Sequence, residues 1–518
     1  MIAFPWITSL TIVPVAGALV LFGLGGRTQN LARWLALAFS FTALVLTLIL
    51  WCHFDSSSGG LQFQERHSWI STLGVEYHVG IDGLGLLMLL LTSIVVPIGM
   101  IASWQIQERG PLYFSLVLLL EGCLFGTFTA LNFFHWFIFW ELSLIPAFFL
   151  IKLWGGPRST PAATQFLIYT MVGSIALLLS FLAIFLATRQ FDFIELAGLA
   201  QNSQLWPVVI DRLGWHRFTS DHVALLIFAG AFLGFAVKVP MVPFHTWLPS
   251  AYSEAPTGTT ILLTGAMSKM GLYGFLRILV PIFGTEMQVV LTPLLWLAVA
   301  TVVLSAYAAL AQKDLKRIFA YSSINHLGYC LLGIFAVMRF AGGNSALVAE
   351  KYAAMNGVLL LMFNHGLTAA TLFWFVAMLE KRSGGLRGLN EFGGLRKVVP
   401  VFTGLMGIAL FSSLGLPGLN GFVGEFLIFK GSFPLVTWAT ALSVIGLLVT
   451  AIFILGILQH VFSGPLNERW KKMPDLTIGE RLALVPAIGL MFALGLYPQL
   501  VLGVVNNTVI RMVQQLRF

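Results

Sequence analysis

Six ionisable side chains stand inside runs of bulky apolar residues. Glu141 lies in FHWFIFWELSLIPAFFL, Lys238 in LLIFAGAFLGFAVKVPMVPFHTWLP and Lys269 in TGTTILLTGAMSKMGLYGFL. His326 follows AYSSIN, His365 lies in LLLMFNHGLTAATLFWF and Glu425 in GLNGFVGEFLIF. Glu121, His245 and Glu254 are accessory members of the set. An ionised group at the centre of a bilayer costs about 2.5–3.5 kcal/mol on insertion scales, so such residues are functional candidates by default. Taken singly, each has a packing explanation: a histidine can bond a neighbouring helix, and a lysine can reach toward the interface. Six together, of both signs, fit proton transfer better. Burial disfavours charge on either member of a Glu–Lys pair, and proximity restores it. A pair whose separation changes is therefore a switchable proton trap, and histidine is suited to pass the proton on.

The elements that must position these groups are membrane helices. The chain has 518 residues, 58% hydrophobic and 10% charged, against about 25% charged in soluble domains. Apolar runs near the 20 residues needed to cross a bilayer follow one another almost end to end. About fourteen spans are expected: 5–24, 34–52, 83–103, 112–131, 133–151, 165–187, 222–252, 256–280, 288–311, 318–337, 354–379, 401–430, 434–461 and 482–505. The longest polar connections are 53–82, 188–221 and 380–400. The start of the chain lacks the basic region and cleavage site of a signal peptide, and reads as a retained first span.

The 29 Lys and Arg against 21 acids form no patch or stripe, which excludes a nucleic-acid interface. Loops after odd-numbered spans, from Arg27 to Arg481, hold 17 of the 29 basic residues, and the other side holds 10. By the positive-inside rule this bias places both termini on the non-cytoplasmic side. Cys52, Cys123 and Cys330 are isolated, without CxxC spacing, so neither zinc nor an iron–sulfur site is expected. No nucleotide fingerprint is present, and no cofactor is expected in this chain.

Two expected spans carry Pro and Gly in mid-run: KVPMVP in the seventh and GLPGLNGF in the twelfth. Proline removes a backbone donor and kinks the helix. Unwound backbone at membrane depth is tolerated only where it lines a cavity or is buried in protein. Corresponding breaks in two halves point to repeated units with a midplane ion site. Lys238 precedes the first break and Glu425 follows the second.

The segments WELSLIP (140–146), KVPMVPFHTWLPSA (238–251), LTGAMSKMGLYGFLR (263–277), LKRIFAYSSINHLGY (315–329), NHGLTAATLF (364–373) and LPGLNGFVGEF (416–426) resemble the antiporter-like subunits of respiratory complex I. Within them the match is to subunit M, called chain 4 in mitochondrial and D in photosynthetic complexes. The resemblance runs in order from about residue 65 to 465. It implies an all-α membrane protein of fourteen helices with two inverted five-helix repeats, helices 4–8 and 9–13, and helices 7 and 12 broken. The corresponding segments are 1–110, 111–280, 281–465 and 466–518. It also implies roles: Glu141 paired with Lys238, Lys269 as a connecting site, His326 and His365 on the central axis, and Glu425 as the terminal acid. The sibling L-type and N-type subunits carry Lys at that last position. Family members commonly read HTWLPDAH where this chain reads HTWLPSAYSEAPT, so Ser250 and Tyr252 replace the usual acid and histidine. Glu254 is the candidate to compensate.

The resemblance implies a proton-translocating subunit of an NADH- or related-donor:quinone oxidoreductase in a bacterial inner or equivalent energy-transducing membrane. L-like and N-like subunits would be its neighbours. NAD, FMN, Fe–S clusters and quinone would belong to partner subunits. The D-type chain of a multi-subunit Na⁺/H⁺ antiporter, or a membrane-hydrogenase module, shares the buried pairs and stands as the alternative.

Overall fold

The computed structural model describes residues 4–24, 29–217, 219–340 and 344–516; Arg27 of the first loop lies outside them. The chain opens with α1 (Trp6–Phe22) and α2 (Gln29–His53), then the hairpin β1 (Gln62–Ile70) and β2 (Val75–Ile81). Next come α3 (Gly83–Ala102), α4 (Gly110–Thr129), α5 (Phe133–Leu142), α6 (Leu144–Trp154) and α7 (Ser159–Thr188). Two short helices, α8 (Phe193–Gln201) and α9 (Leu205–Leu213), precede α10 (Ser220–Lys238) and α11 (Trp247–Glu254). The following span comprises α12 (Thr257–Leu262), α13 (Lys269–Gly274) and α14 (Val280–Ile282), with π turns at Leu263–Met267 and Phe275–Leu279. Then follow α15 (Gly284–Val289), α16 (Leu291–Leu310), α17 (Leu315–Val337) and α18 (Ser345–Ser383). The chain ends with α19 (Pro400–Leu414), α20 (Asn420–Leu435), α21 (Thr437–Ile457), α22 (Ile478–Leu496) and α23 (Gln499–Gln515).

Among the described residues, eleven helices are long and apolar enough to cross a membrane. Three further expected spans take other forms. The first is a 17-residue helix, the eighth is interrupted by the π turns, and the twelfth is split into α19 and α20. The expected last span, 482–505, is corrected: α22 stops at Leu496, and α23 starts beyond Pro498, whose ring cannot continue the backbone ladder.

Burial sorts the helices into an interior and a rim. The 39-residue α18, about 58 Å long at 1.5 Å per residue, runs through the centre with its most apolar stretch wholly buried. It packs along α17 and α20. By contrast α2, α7, α21 and α22 expose large apolar side chains, among them Trp34, Leu179, Leu448 and Leu482. In water that surface would be unfavourable; in lipid it is matched.

The polar connection 53–82 is the hairpin, paired antiparallel from Gln62 with Ile81 to Ile70 with Val75. Its role follows from the start of α1. Pro5 stands at the N-cap with no capping side chain. The Glu65 carboxylate of β1 supplies the missing acceptor, taking the Ile7 amide at 2.8 Å and the Thr8 amide at 3.3 Å. A carboxylate at free amides is the usual remedy for a helix N-terminus.

Candidate functional site

The first break separates α10 from α11 over residues 239–246. Pro240 and Pro243 cannot donate, so the remaining freed groups must find other partners. The Met241 amide reaches back to the Ala236 carbonyl at 2.8 Å. The Trp247 indole donates to the Val237 carbonyl at 3.0 Å, and the Val242 amide donates to the Thr301 hydroxyl of α16 at 3.0 Å. Lys238, the last residue of α10, is buried, and its ammonium lies 4.7 Å from the centre of the Trp140 ring. It makes no hydrogen bond among the described residues.

Glu141, next to Trp140 on α5, is half-buried and within electrostatic reach of Lys238. The two do not form a direct ion pair: the Lys238 ammonium and Glu141 Oε1 are both without a hydrogen-bond partner. The expected pair is thus held apart. Aromatic packing replaces the carboxylate under the ammonium, a cation–π contact.

The second break, 415–419, is built differently. Gly415 ends α19 at φ +83°, a left-handed position that suits glycine. The Leu416 amide returns to the Phe411 carbonyl at 3.0 Å. Asn420, first residue of α20, ties the halves to α18. Its side chain donates to the Asn364 carbonyl at 3.3 Å and to the Thr368 hydroxyl at 3.2 Å, and it accepts from the Ser412 hydroxyl. Asn364 in turn donates to the Asn420 carbonyl at 2.6 Å.

Between the two breaks, four of the expected residues meet. Lys269 is fully buried on α13. Its ammonium donates to the Thr264 carbonyl at 2.6 Å and lies 2.9 Å from His365 Nδ1. The His365 and His326 rings stand 5.2 Å apart. His326 Nε2 lies 3.3 Å from the Glu425 carboxylate and 3.0 Å from the Ser413 carbonyl, while Nδ1 faces the Ser322 carbonyl at 2.7 Å. An imidazolium can donate on both sides here, with its charge met by Glu425. Beside the two rings is a cavity of about 10 Å³, lined by Ser322, Asn364, Thr368 and Ser413. That is about the space of one water, enough to bridge two imidazoles that lie tilted by 31° and share no hydrogen bond.

The accessory residues lie elsewhere. Glu121 accepts from Ser40 of α2 at 2.9 Å and, among the described residues, bonds no member of the row. His245 sits within the first break, its ring 6.3 Å from that of Tyr321. Glu254 accepts from the Arg158 amide at 3.0 Å, which ties α11 to the loop before α7. Ser250 is partly exposed on α11, its carbonyl bonded by the Ser253 hydroxyl at 3.2 Å. Tyr252 is buried, and its hydroxyl faces Thr264 and Ser268 without closing a hydrogen bond to either. It therefore borders the polar groups that hold the Lys269 ammonium. His135, buried on α5 with Nδ1 unbonded, is an ionisable group outside the expected row. Trp140, Asn364, Thr368 and Asn420 are the supporting side chains; Trp140 and Asn364 adjoin Glu141 and His365 in sequence, but the contacts by which all four support the site form only on folding. The contacts join distant stretches, 56 residues apart for Asn364 and Asn420 and farther for Trp140 and Lys238, which no local pattern encodes.

Residues 130–452 match the family model described as NADH:quinone oxidoreductase/Mrp antiporter, TM. The chain belongs to this family. Among the NADH:quinone oxidoreductase/Mrp antiporter relatives, NADH-quinone oxidoreductase subunit M of Rhodobacter capsulatus is 33% identical over 510 residues, 98% of this chain and 96% of that one. Subunit M of Mycobacterium tuberculosis is 31% identical over 543 residues, covering 98% and 93%. A chain of respiratory complex I from Thermus thermophilus with bound NADH superposes with a TM-score of 0.83 at 26% identity, covering 99% of this chain and all of that one. A chain of the Mrp complex from Dietzia sp. DQ12-45-1b also gives 0.83, at 20% identity and full coverage of both chains. At that identity the likeness is one of fold. The family is thus a multi-pass membrane one, and both relatives compared in sequence are subunit M chains.

Proposed function

We propose that this chain is the subunit-M-type proton-translocating module of a complex I-type NADH- or related-donor:quinone oxidoreductase. The observation that carries the reading is the contact series Lys269–His365–His326–Glu425 inside the helical interior, with 2.9 Å at one end and 3.3 Å at the other. A proton leaving the Lys269 ammonium enters His365 at Nδ1, and the ring releases another into the one-water cavity beside His326, which takes it up when its ring turns one nitrogen away from the Ser322 and Ser413 carbonyls. His326 then gives its proton to the Glu425 carboxylate. Glu141 and Lys238 form the loading site: when the carboxylate approaches, Lys238 holds a proton, and when it withdraws, Lys238 releases it. The present separation fits the withdrawn arrangement. Thr301, Asn420 and Trp140 position these groups and carry no proton themselves.

The two breaks, each flanked by a buried ionisable residue, support reading 111–280 and 281–465 as inverted repeats between the N-terminal helices 1–110 and the C-terminal 466–518. The basic-loop bias supports both termini on the non-cytoplasmic side of a bacterial inner or equivalent membrane. Quinone reduction, with NAD, FMN and Fe–S clusters, is assigned to partner subunits, with L-like and N-like chains as membrane neighbours. The near full-length likeness to subunit M chains favours this assembly over an Na⁺/H⁺ antiporter.

Lys238→Met tests the reading. The variant complex is expected to assemble and to lose proton translocation, measured as acidification coupled to quinone reduction in proteoliposomes. Normal pumping by an assembled Lys238→Met complex would refute it. Copurification with small antiporter chains alone, without quinone-reducing subunits, would refute the assembly.

A further inference from the structure

A cavity of about 720 Å³ lies at the end of the bundle that carries the basic loops, where α2, α12 and α22 begin and α3 and α18 end. None of the relay residues lines it. Its size falls in the range of about 300–1,000 Å³ that encloses small organic ligands. Leu37, Ile101, Trp374 and Ala483 make the inner wall apolar. At the mouth, Trp34 and Trp104 meet edge to face at 5.1 Å, and such amphipathic rings favour the headgroup level of a bilayer.

The charges around the mouth are unbalanced. Two carboxylates line the cavity, and both are already matched. Glu380 pairs with Lys316 at 3.5 Å and with Arg387 at 3.3 Å, and Glu480 pairs with Arg382 at 2.5 Å. Lys381, also on the rim, has no ion pair among the described residues. Arg33 does not itself line the cavity; it lies against the Trp104 ring at the mouth and is only 9% exposed. Its guanidinium donates to the Ile106 carbonyl at 3.0 Å and to the Asn30 side chain at 3.4 Å, and it lies 5.9 Å from the Trp104 ring centre. Its Nε is buried with no partner, and no carboxylate meets it among the described residues. A buried cation with neutral acceptors alone calls for an outside anion.

We infer that this cavity holds a membrane phospholipid with an anionic headgroup. Its acyl chain lies against Leu37 and Trp374, and its phosphate meets the Arg33 and Lys381 side of the mouth. Basic pockets between helices at the cytoplasmic interface are the general setting for anionic headgroups. A partner helix fits less well, since it would not bring an anion to Arg33 without burying a further charge.

The test is native mass spectrometry of the intact complex, delipidated and then given phosphatidylglycerol or phosphatidylcholine. The wild-type complex is expected to retain one phosphatidylglycerol that Arg33→Gln weakens by about fivefold or more, the share of one interfacial cation. Ala483→Trp, which fills the cavity, is expected to abolish retention. Lys381→Gln, at an exposed position, leaves folding aside and is expected to weaken retention in the same direction. Equal retention of phosphatidylcholine, or phosphatidylglycerol retention unaffected by all three substitutions, would overturn the proposal. So would density for a partner's helix in the cavity of the assembled complex.

Discussion

At the first break, proline strips donors from the backbone, and the loose ends are met from a distance, by Thr301 of α16 and by the indole of Trp247. At the second, a left-handed glycine turns the chain, and Asn420 binds the two halves to α18 through neighbours on all sides. The charge beside each break follows suit. Lys238 rests on an aromatic face with no hydrogen bond, whereas Glu425 is already in contact with His326. One half of the molecule is therefore wired and the other is open. A relay with both halves closed would only conduct; an open step is where an outside event can decide whether a proton passes.

Loss of a single group should interrupt the wired series as it does the open loading site. Lys269→Met removes the donor to His365 and is expected to lower proton translocation by about 100-fold or more, the scale of a positioned proton-transfer group. The measurement is acidification per quinone reduced in the assembled complex. If Lys269→Met pumps normally while Lys238→Met does not, the contact series is not the route.

Gly415→Ala strikes the second break by sterics alone. The added Cβ would lie 2.5 Å from Glu425 Oε2, at φ +83°. A cost of about 1–2 kcal/mol in thermal unfolding is expected from the backbone, together with slowed pumping because Glu425 must move. Asn420→Ala leaves buried partners unbonded and should cost about 1–3 kcal/mol, while Thr301→Val at the first break strands one amide and should cost no more than about 1 kcal/mol. Equal losses at the two positions would erase the distinction between a tied break and a loose one.

The smallest effect concerns the rim outside the spans. His78 and Asp192 meet at 2.5 Å and join the hairpin to the turn before α8. Burial works against the Asp192 carboxylate, yet the His78 contact and the Ile194 and Glu195 amides hold it below its usual 3.8. A depressed carboxylate stabilises the fold above its unfolded value, and that contribution fades as pH falls through the folded value. Asp192→Asn should therefore lower the melting temperature at pH 5–7, with the gap from wild type closing below about pH 3.8. A gap independent of pH would mean that the contact acts by packing.

Much of this arrangement is legible in the residues because its causes are local. Pro240, Pro243, Gly415 and Pro417 announce the breaks through their own backbone chemistry, and Lys269 is conspicuous against its neighbours. What is not legible depends on partners far along the chain. The hairpin at 62–81 lies in a polar stretch whose pairing shows no clean alternation, and it becomes intelligible only when Glu65 is seen capping α1. The separation of Glu141 from Lys238 is a tertiary distance, which no spacing encodes. Tyr252 reads as a departure from the family pattern, and only folding brings it beside Thr264 and Ser268. The division at Pro498 is a local signal, but the apolar residues on either side of it mask the end of the span.

The π turns on either side of α13 have a consequence for chain length. Deleting one residue from a regular buried helix swings everything beyond it by about 100°. In α17 that would carry His326 away from Glu425. A π turn already holds one residue more than an α-turn needs, so a single deletion within Leu263–Met267 would be taken up on the spot as an ordinary turn. Lys269 would keep its heading toward His365. The helix that carries the most buried charge of the relay thus has a tolerance for lost residues that its straighter neighbours lack.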